Sequence, residues 1–386
     1  MDDVLHGVRR HWAKLHGVVR GRDHFSGRAP LDTAETVPPR ECHVDKLTSQ
    51  LLHLHLTRFN YFSVSNGDYI LAMTLDPELL EFLGGPNTAD LNDIAGSRAL
   101  ADALTAEVLA QRPAPPAGVS FRDTNAHDNA GREVPVRVYR RDDLATTSGA
   151  LLFIHGGAFI FGDLELEHDR CLYYAAHVGV VVVSVDYRLA PEFPFPAGLD
   201  DVKLALDWLV EHANDLGVDP QRICVGGASA GGALAAGLAL LCRDENGPSL
   251  AAQMLIYPVL DDRVATLSME AFEVYDPWDG ERSRQMWPLY LGHHDDAVAY
   301  AAPARASDLS DLPVTFLMSC EEDPLRDEEL DFAQRLLHAG VSVELHHYRG
   351  TYHAFDVYGP ETTVGRRALS DQALFLERVV GAHQLG

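Results

Sequence analysis

A serine flanked by glycines is the first feature of the chain that could do chemistry. It stands in the run Gly227-Ala228-Ser229-Ala230-Gly231, between an apolar segment typical of a β-strand and an Ala- and Leu-rich segment typical of a helix. Glycines in a Gly-x-Ser-x-Gly run allow a sharp turn from strand to helix, which exposes the serine hydroxyl at the helix N-terminus. Backbone N–H groups and the helix dipole favour a developing anion there. The pattern therefore indicates Ser229 as a nucleophile for acyl transfer.

A nucleophilic serine needs a base, because its hydroxyl is protonated at neutral pH. His353 is the candidate base, since it follows a predicted turn at residues 349–352, whereas the other late histidines lie in a predicted strand or on predicted helices: His338, His346, His347 and His383. Asp323, after the preceding strand, is the candidate carboxylate that would orient the imidazole, in the known chain order of serine, acid and histidine. Three neighbouring carboxylates remain alternatives for the acid: Glu321, Glu322 and Asp327.

A second glycine-containing run could stabilise the oxyanion of an acyl-transfer reaction. His155-Gly156-Gly157-Ala158 follows an apolar strand pattern, and glycines there let backbone N–H groups approach a tetrahedral intermediate. The N–H of Ala230, directly after the nucleophile, would be the partner donor. We therefore predict an oxyanion hole formed by the N–H groups of Gly156, Gly157 and Ala230.

The elements that must position these residues alternate along the chain from about residue 119 onward. Eight apolar runs predict strands at 119–125, 134–140, 151–155, 180–186, 222–226, 253–257, 314–319 and 341–348. Helix-length segments between them are 168–177, 198–216, 230–243, 327–339 and 365–383, and Asp219-Pro220 predicts a turn before the fifth strand. The later runs are apolar on both faces, as in parallel strands covered by helices, and the first two alternate, as in an antiparallel edge. The pattern predicts a doubly wound, mostly parallel eight-stranded α/β sheet with helices on both faces.

Two segments do not fit this alternation. Residues 76–112 have a helical pattern that begins at Asp76-Pro77, and residues 263–300 lie between two strands but are too long for an ordinary loop. We expect both to fold over one end of the sheet as a cap.

At this point the chain resembles the hormone-sensitive-lipase group of α/β-hydrolases, the bacterial family IV esterases. The resemblance runs from about Leu75 to the C-terminus and depends on five motifs in order: His155-Gly156-Gly157-Ala158-Phe159, Asp186-Tyr187-Arg188-Leu189-Ala190-Pro191-Glu192, Gly227-Ala228-Ser229-Ala230-Gly231-Gly232, Asp323-Pro324-Leu325-Arg326-Asp327 and His353-Ala354-Phe355. It implies the α/β-hydrolase fold, a Ser229–His353–Asp323 triad, the oxyanion hole above, and a helical cap. It also implies a homodimer that pairs through a sheet edge.

Three residues depart from the pattern of that family. Ala158 stands where a third glycine is usual, Ala228 replaces an aspartate before the nucleophile, and Ala354 replaces a glycine after the histidine. None of these changes removes a catalytic group, so we expect activity to be kept, with altered rate or substrate range.

The N-terminal residues differ in character from the remainder. Residues 1–72 contain 9 Lys and Arg, 8 Asp and Glu, and 7 of the 19 histidines, whereas the remaining 314 residues contain 22 basic and 49 acidic side chains. We predict an atypical N-terminal extension at 1–72, or a start assigned too far upstream, followed by the first part of the cap at 73–118. The hydrolase core would then occupy 119–262 and 301–386, with the cap insertion at 263–300.

Composition excludes several classes of function. A formal charge of −26 repels nucleic acid and acidic membrane surfaces. Five cysteines without paired or zinc-like spacing favour a reducing compartment, and no segment has the pattern of a signal peptide or a membrane span, so we expect a cytoplasmic protein. His53-Leu54-His55 and His293-His294-Asp295-Asp296 lack further ligands at a recognised spacing, so we expect no metal and no cofactor.

These observations together predict a serine carboxylesterase that acts on small or short-chain acyl esters. Four residues are candidates for contact with the substrate: Ala158, Phe159, Trp287 and Tyr290. A deacetylase, lactonase or amidase acting on a natural product with the same triad remains an alternative. A ligand-binding receptor like the plant gibberellin receptors, which resemble this family but lack the histidine, is disfavoured by His353.

Overall fold

The computed structural model describes residues 75–83, 89–112, 114–144, 147–272, 277–292 and 299–381. The predicted N-terminal extension at residues 1–72 lies outside the described residues.

All eight predicted strands are present in one sheet. They are β1 (Val119–His127), β2 (Glu133–Arg141), β3 (Ser148–Ile154), β4 (Val181–Val185), β5 (Val218–Ala228), β6 (Ala252–Ile256), β7 (Val314–Glu322) and β8 (Val343–Tyr352). The order across the sheet is β1-β2-β4-β3-β5-β6-β7-β8. The β1–β2 and β2–β4 pairs are antiparallel and the others are parallel, which confirms the predicted antiparallel edge.

Helices cover both faces of the sheet, as the apolar strands predicted. They are α1 (Ile94–Gln111), α2 (His168–Val178), α3 (Ala197–Glu211), α4 (Ala213–Leu216), α5 (Ala230–Glu245), α6 (Leu267–Ala271), α7 (Gly280–Leu291), α8 (Arg326–His338), α9 (Phe355–Tyr358) and α10 (Thr363–Val380). No helix among the described residues is long and apolar enough to cross a membrane.

Alternate residues of the central strands belong to two separate cores. Leu152 and Ile154 of β3 pack in one cluster with α3, α5 and α8, whereas Leu151 and Phe153 pack in the other with α2 and α10. Because successive side chains of a strand point to opposite faces, a strand that is apolar at every position needs helices on both sides. The two cores therefore explain why these strands are continuously hydrophobic.

Two of the turns predicted from sequence lie inside strands. Asp219-Pro220 is part of β5, where the pairing with β3 moves from Ser148–Val218 to Ala150–Ile223 and leaves four residues of β5 in a bulge. The Asp219 carboxylate accepts hydrogen bonds from the backbone N–H of Gln221 (2.9 Å) and from Arg222 Nε (3.2 Å), which satisfies polar groups locally. Residues 349–352 likewise belong to β8 and not to a turn.

Between residues 76 and 112, the described residues contain a short 3₁₀ helix at Leu80–Phe82 and the longer helix α1. In the short helix region, Leu79 is fully buried whereas Leu80 is 53% exposed. The N–H of Asp76 donates to the carbonyl of Gly350 (2.8 Å), which holds this segment beside the end of β8.

Candidate active site

The three residues of the predicted triad each directly follow a parallel strand. Ser229 follows β5, Asp323 follows β7 and His353 follows β8. Since these strands are parallel and lie within the block β5-β6-β7-β8, their carboxyl ends meet at one edge of the sheet. Three residues far apart in sequence are thus brought to one place by strand order.

Ser229 lies on a strained turn between β5 and α5. Its backbone has φ 55° and ψ −118°, and its N–H donates to the carbonyl of Ile256 (2.9 Å). A Cβ at Gly227 would lie 2.4 Å from Gly231, and one at Gly231 would lie 2.0 Å from the carbonyl oxygen of Ile154. Both glycines are therefore required by close backbone contact, as the Gly-x-Ser-x-Gly pattern predicted.

A continuous pair of hydrogen bonds joins the serine, the histidine and the aspartate. His353 Nδ1 lies 2.8 Å from Asp323 Oδ2, and His353 Nε2 lies 2.9 Å from Ser229 Oγ. A carboxylate only accepts hydrogen bonds, so Nδ1 carries the proton and Nε2 is free to accept the serine proton. Asp323 is fully buried and also accepts from the N–H of Leu325 (3.0 Å), which fixes its carboxylate toward His353.

Two of the three alternative acids, Glu321 and Asp327, bind other groups. Glu321 accepts a hydrogen bond from the N–H of Gly350 (2.7 Å). Asp327 accepts from the N–H of Ser268 (2.8 Å) and from Arg326 Nε (2.8 Å). Of the four carboxylates considered from sequence, the structure places Asp323 against the imidazole.

The predicted oxyanion loop lies beside the nucleophile. A Cβ at Gly156 would lie 3.4 Å from the Cβ of Ser229, and Gly157 has φ 103°, which favours glycine. Among the described residues, no atom accepts a hydrogen bond from the N–H of Gly156, Gly157 or Ala230. Unpaired buried backbone N–H groups are rare, so these three donors are suited to an acceptor supplied by a ligand.

The buried ring of His155 contacts the oxyanion loop and supports it. The ring is fully buried, stacks on Tyr187 with 4.3 Å between centroids, and donates from Nδ1 to the carbonyl of Gly156 (2.7 Å). Burial lowers the pKa of His155 to about 4. The ring is therefore neutral near pH 7 and contributes no charge to the loop.

The aromatic residues predicted to contact the substrate are brought together next to this loop. Phe159 stacks on Tyr290 with 3.7 Å between ring centroids and lies 5.9 Å from Trp287. All three side chains are buried, as is that of Ala158. They form one aromatic wall between the oxyanion loop and α7.

Arg98 on α1 contacts the same region and was not found from the sequence. Its guanidinium donates to the carbonyls of Ile160 (2.9 Å) and Ala190 (2.8 Å) and pairs with Glu192 (2.8 Å). The first of these carbonyls belongs to the chain just after the oxyanion loop. A long-range pair such as Arg98–Glu192 has no local sequence pattern, so only the fold reveals it.

Two of the three alanines that depart from the family pattern adopt left-handed backbone conformations. Ala158 has φ 55° and Ala354 has φ 62°. Ala228, the residue before the nucleophile, is an ordinary strand residue. A Cβ in this region is close to the following carbonyl oxygen and costs about 1–2 kcal/mol. Glycine avoids that strain at both positions.

Replacing Ala354 with glycine is expected to increase the free energy of unfolding by about 0.5–1 kcal/mol, because relief of the left-handed strain exceeds the added entropy of the unfolded chain. Ala339→Gly is the matched control: Ala339 is similarly half-buried but has φ −79°, so the same change is expected to destabilise by about 1 kcal/mol. Urea unfolding measures both. A loss of stability in Ala354→Gly as large as in the control would contradict this explanation.

The described residues contain no group of three or more His, Cys, Asp or Glu side chains placed to hold a metal ion. The two histidine-containing runs considered from sequence, at 53–55 and 293–296, lie outside the described residues.

Comparison with known proteins identifies the fold and the class of activity. Residues 151–357 match a family model described as alpha/beta hydrolase fold. Among curated proteins, the chain is 36% identical to esterase LipI of Mycobacterium tuberculosis over 234 residues, which cover 60% of this chain and 72% of LipI. It is also 36% identical to ethyl acetate hydrolase of Pseudomonas putida over 231 residues, which cover 58% of this chain and 72% of that protein.

A solved structure of a bacterial heroin esterase is similar in both sequence and fold. It is 41% identical, has a TM-score of 0.75, and the alignment covers 80% of this chain and 99% of the heroin esterase. The predicted α/β-hydrolase fold and carboxylic ester hydrolase activity are thereby confirmed. The chain belongs to the hormone-sensitive-lipase-like (family IV) group of esterases in the α/β-hydrolase superfamily.

Proposed function

We propose that Ser229, His353 and Asp323 are the catalytic triad of this ester hydrolase and that its substrates are small, short-chain acyl esters. The observation that carries the proposal is the pair of hydrogen bonds from His353, 2.9 Å to Ser229 Oγ and 2.8 Å to Asp323 Oδ2. Nucleophile, base and orienting carboxylate need this order of contacts for the serine to be activated.

In the first half of the proposed reaction, Ser229 Oγ attacks the ester carbonyl as its proton passes to His353 Nε2. The carbonyl oxygen becomes negatively charged and accepts hydrogen bonds from the N–H groups of Gly156, Gly157 and Ala230. His353 then donates its proton to the alcohol oxygen as the carbon–oxygen bond breaks, and the alcohol leaves.

In the second half, His353 takes a proton from water as the water oxygen attacks the acyl-enzyme. The same N–H groups donate hydrogen bonds to the second oxyanion, and the proton returns to Ser229 Oγ as the acid is released. Asp323 remains ionised throughout and stabilises the imidazolium that forms in each half. No cofactor or metal is required for these steps.

The aromatic wall is evidence for a substrate with a small acyl group. Phe159 follows the oxyanion loop directly and its ring stacks on that of Tyr290, so we propose that these two rings occupy the space that a long acyl chain would need. The relative named ethyl acetate hydrolase also has a small ester in its name. We propose Ala158, Phe159, Trp287 and Tyr290 as the residues that limit the acyl length.

The segments outside the sheet complete the proposed site as a cap. Arg98 holds α1 beside the oxyanion loop, and Ser268 of α6 donates from Oγ to the carbonyl of Pro324 (2.7 Å), in the turn after Asp323. These contacts support a cap formed by α1 together with the insertion that contains α6 and α7.

Two further parts of the proposal concern assembly and location. β8 is an outer strand of the sheet, which supports a homodimer that pairs through this edge and can be tested by sedimentation.

The four described cysteines are unpaired and buried, which fits the reducing conditions of the cytoplasm: Cys171, Cys224, Cys242 and Cys320.

A series of p-nitrophenyl esters tests the acyl preference. We expect kcat/KM to be highest for acyl groups of about two to six carbons and to fall at least about tenfold at twelve carbons, because longer chains must displace the packed rings. Phe159→Ala should move the maximum toward longer chains. A maximum at twelve carbons in the unaltered enzyme would overturn the preference proposed for short chains.

A further inference from the structure

A buried group of charged and polar side chains lies behind His353 and has no part in the mechanism above. We call it the Arg170 cluster. Its members come from α2, the end of β6, α9 and α10 and are all at most 6% exposed: Glu167, Arg170, Tyr174, Tyr257, Asp356 and Gln372.

Arg170 is the centre of this cluster. Its guanidinium donates from Nε to Glu167 (2.7 Å), from Nη1 to Asp356 Oδ2 (2.8 Å) and from Nη2 to the hydroxyl of Tyr257 (3.0 Å). Gln372 donates to the same Asp356 oxygen (3.1 Å). The hydroxyl of Tyr174 donates to Gln372 Oε1 (2.6 Å), so every member is held by at least one hydrogen bond to another member of the cluster.

The cluster contains two carboxyl groups and one guanidinium. Burial raises the pKa of Glu167. Burial acts in the same direction on Asp356, but Arg170 and the hydrogen bonds from Gln372 and Tyr257 outweigh it and lower the pKa of Asp356 on balance. Asp356 is thus the stable anion of the cluster, and the Tyr257 hydroxyl donates to it (2.8 Å).

Buried ion pairs of this kind are weak evidence for stability, because desolvation offsets the attraction between the charges. Their best-supported role is to specify one arrangement of the groups around them. The group that this cluster surrounds is the base of the triad.

Two contacts connect the Arg170 cluster to His353. Asp356 is three residues after His353, in the short helix α9 that continues its loop. The ring of Tyr257 meets the ring of His353 edge to face, with 4.9 Å between centroids and 63° between planes. The imidazole is therefore bounded by Asp323 at Nδ1, by Ser229 at Nε2 and by Tyr257 on one side of the ring.

We propose that Tyr257 is a positioning residue for His353, and that the Asp356–Arg170 pair fixes the Tyr257 ring by its hydroxyl. The inference depends on the proposed role of His353 as the base. Held at its far end by two charged groups, the Tyr257 ring prevents the imidazole from rotating away from Asp323 and Ser229. Loss of that support should affect the proton transfer and not the binding of the ester.

Tyr257→Phe tests this role with little change in packing, because the ring is kept and only the hydroxyl is lost. We expect kcat to fall by about five- to tenfold, with KM within about twofold, since a small misplacement of a catalytic group is costly. The acid limb of the kcat/KM profile, which reports the free-enzyme base, should move to lower pH because a loosened imidazolium is held less well by Asp323.

Tyr139→Phe is the matched control. Tyr139 is also fully buried, its ring also lies beside a histidine ring (5.4 Å to His168), and its hydroxyl is also hydrogen-bonded (3.1 Å to His168 Nδ1). It does not belong to the Arg170 cluster. We expect its loss of thermal stability to resemble that of Tyr257→Phe, while kcat and the pH profile stay unchanged.

Asp356→Asn is a second and independent variant, since it keeps the shape of the side chain and removes the charge that holds the Tyr257 hydroxyl. It should reproduce the fall in kcat and the shift in the acid limb. Either variant suffices for the test if the other does not fold. A kcat and acid limb equal to those of Tyr139→Phe in a folded variant would overturn the proposal.

Labelling with a fluorophosphonate distinguishes failure of the proposed positioning role from failure of the triad assignment. If the unaltered enzyme is not labelled at Ser229, the proposed function is wrong. If it is labelled and Tyr257→Phe is labelled at the same rate across the pH range, only the positioning role is wrong. Slower labelling of Tyr257→Phe than of Tyr139→Phe is the result we expect.

Discussion

Ser229→Ala is expected to lower kcat for an activated ester by about 10⁵-fold or more and to leave KM nearly unchanged, because the nucleophile is lost while the rest of the site is retained. The hydroxyl that is removed makes the 2.9 Å contact with His353 Nε2. A residual rate above that in water should remain, because the oxyanion donors still stabilise attack by water.

The measurement is a pre-steady-state burst of p-nitrophenol from p-nitrophenyl acetate. The unaltered enzyme should release about one equivalent before steady turnover, since we expect acylation by this activated ester to be faster than the attack of water on the acyl-enzyme. Ser229→Ala should show no burst. Ser283→Ala is the control: Ser283 is a buried serine whose hydroxyl is hydrogen-bonded to Trp278 and to Asp279, and it lies on α7 and is not a member of the triad. A burst that persists in Ser229→Ala would disprove the assignment of the nucleophile.

Asp323→Asn is expected to lower kcat by about 10⁴-fold with the fold preserved. An asparagine in this place can present its NH₂ group to His353 Nδ1, which then becomes an acceptor and moves the imidazole proton to Nε2. The nitrogen that should receive the serine proton would already be protonated. The loss therefore comes from the wrong tautomer and not from a lost contact.

Asp327→Asn is the control for this variant, because it makes the same substitution four residues later on a carboxylate that was an alternative from sequence. Asp327 binds Ser268 and Arg326 and not the imidazole. We expect its kcat to stay within about tenfold of the unaltered value, as for a residue that only supports the turn. Steady-state kinetics across pH 5–9 compare the two variants, and a larger loss in Asp327→Asn would contradict the choice of Asp323.

Much of the site could be predicted because its strongest constraints are local. Gly227 and Gly231 are required within one turn of chain, where any Cβ would meet backbone atoms, and this requirement appears in the sequence as a recognisable run. The central strands could be predicted from the sequence equally well, because a strand that is buried on both faces must be apolar at every position. The central parallel strands were found for this reason, and the two antiparallel edge strands were found from their alternating pattern.

The ends of the strands could not be predicted as well. β7 and β8 continue to Glu322 and Tyr352, beyond the apolar runs, because Glu322 pairs with Tyr352 after an irregularity in the register. Glu321, a polar residue of the first extension, accepts a long-range hydrogen bond from the N–H of Gly350 in the second. A strand predicted from hydrophobicity ends where the apolar residues end, whereas the backbone hydrogen bonds between the two strands continue beyond that point.

Some residues were missed because their partners are distant in sequence. Arg98, Arg170 and Tyr257 have no motif of their own, and each acquires its contacts only when α1, α2 and the end of β6 are packed against the sheet. No spacing rule relates such residues.

The amino-acid sequence determined which groups could act: a serine on a tight turn, a histidine and an aspartate after later strands, and glycines that leave N–H groups uncovered. Tertiary structure alone decided which carboxylate meets the imidazole, since four candidates lie within seven residues and only Asp323 is aimed at His353. It also decided what surrounds the base, where Tyr257 and the buried Asp356–Arg170 pair lie. The physical reason is that side-chain direction and burial depend on how strands and helices pack, which local sequence does not specify.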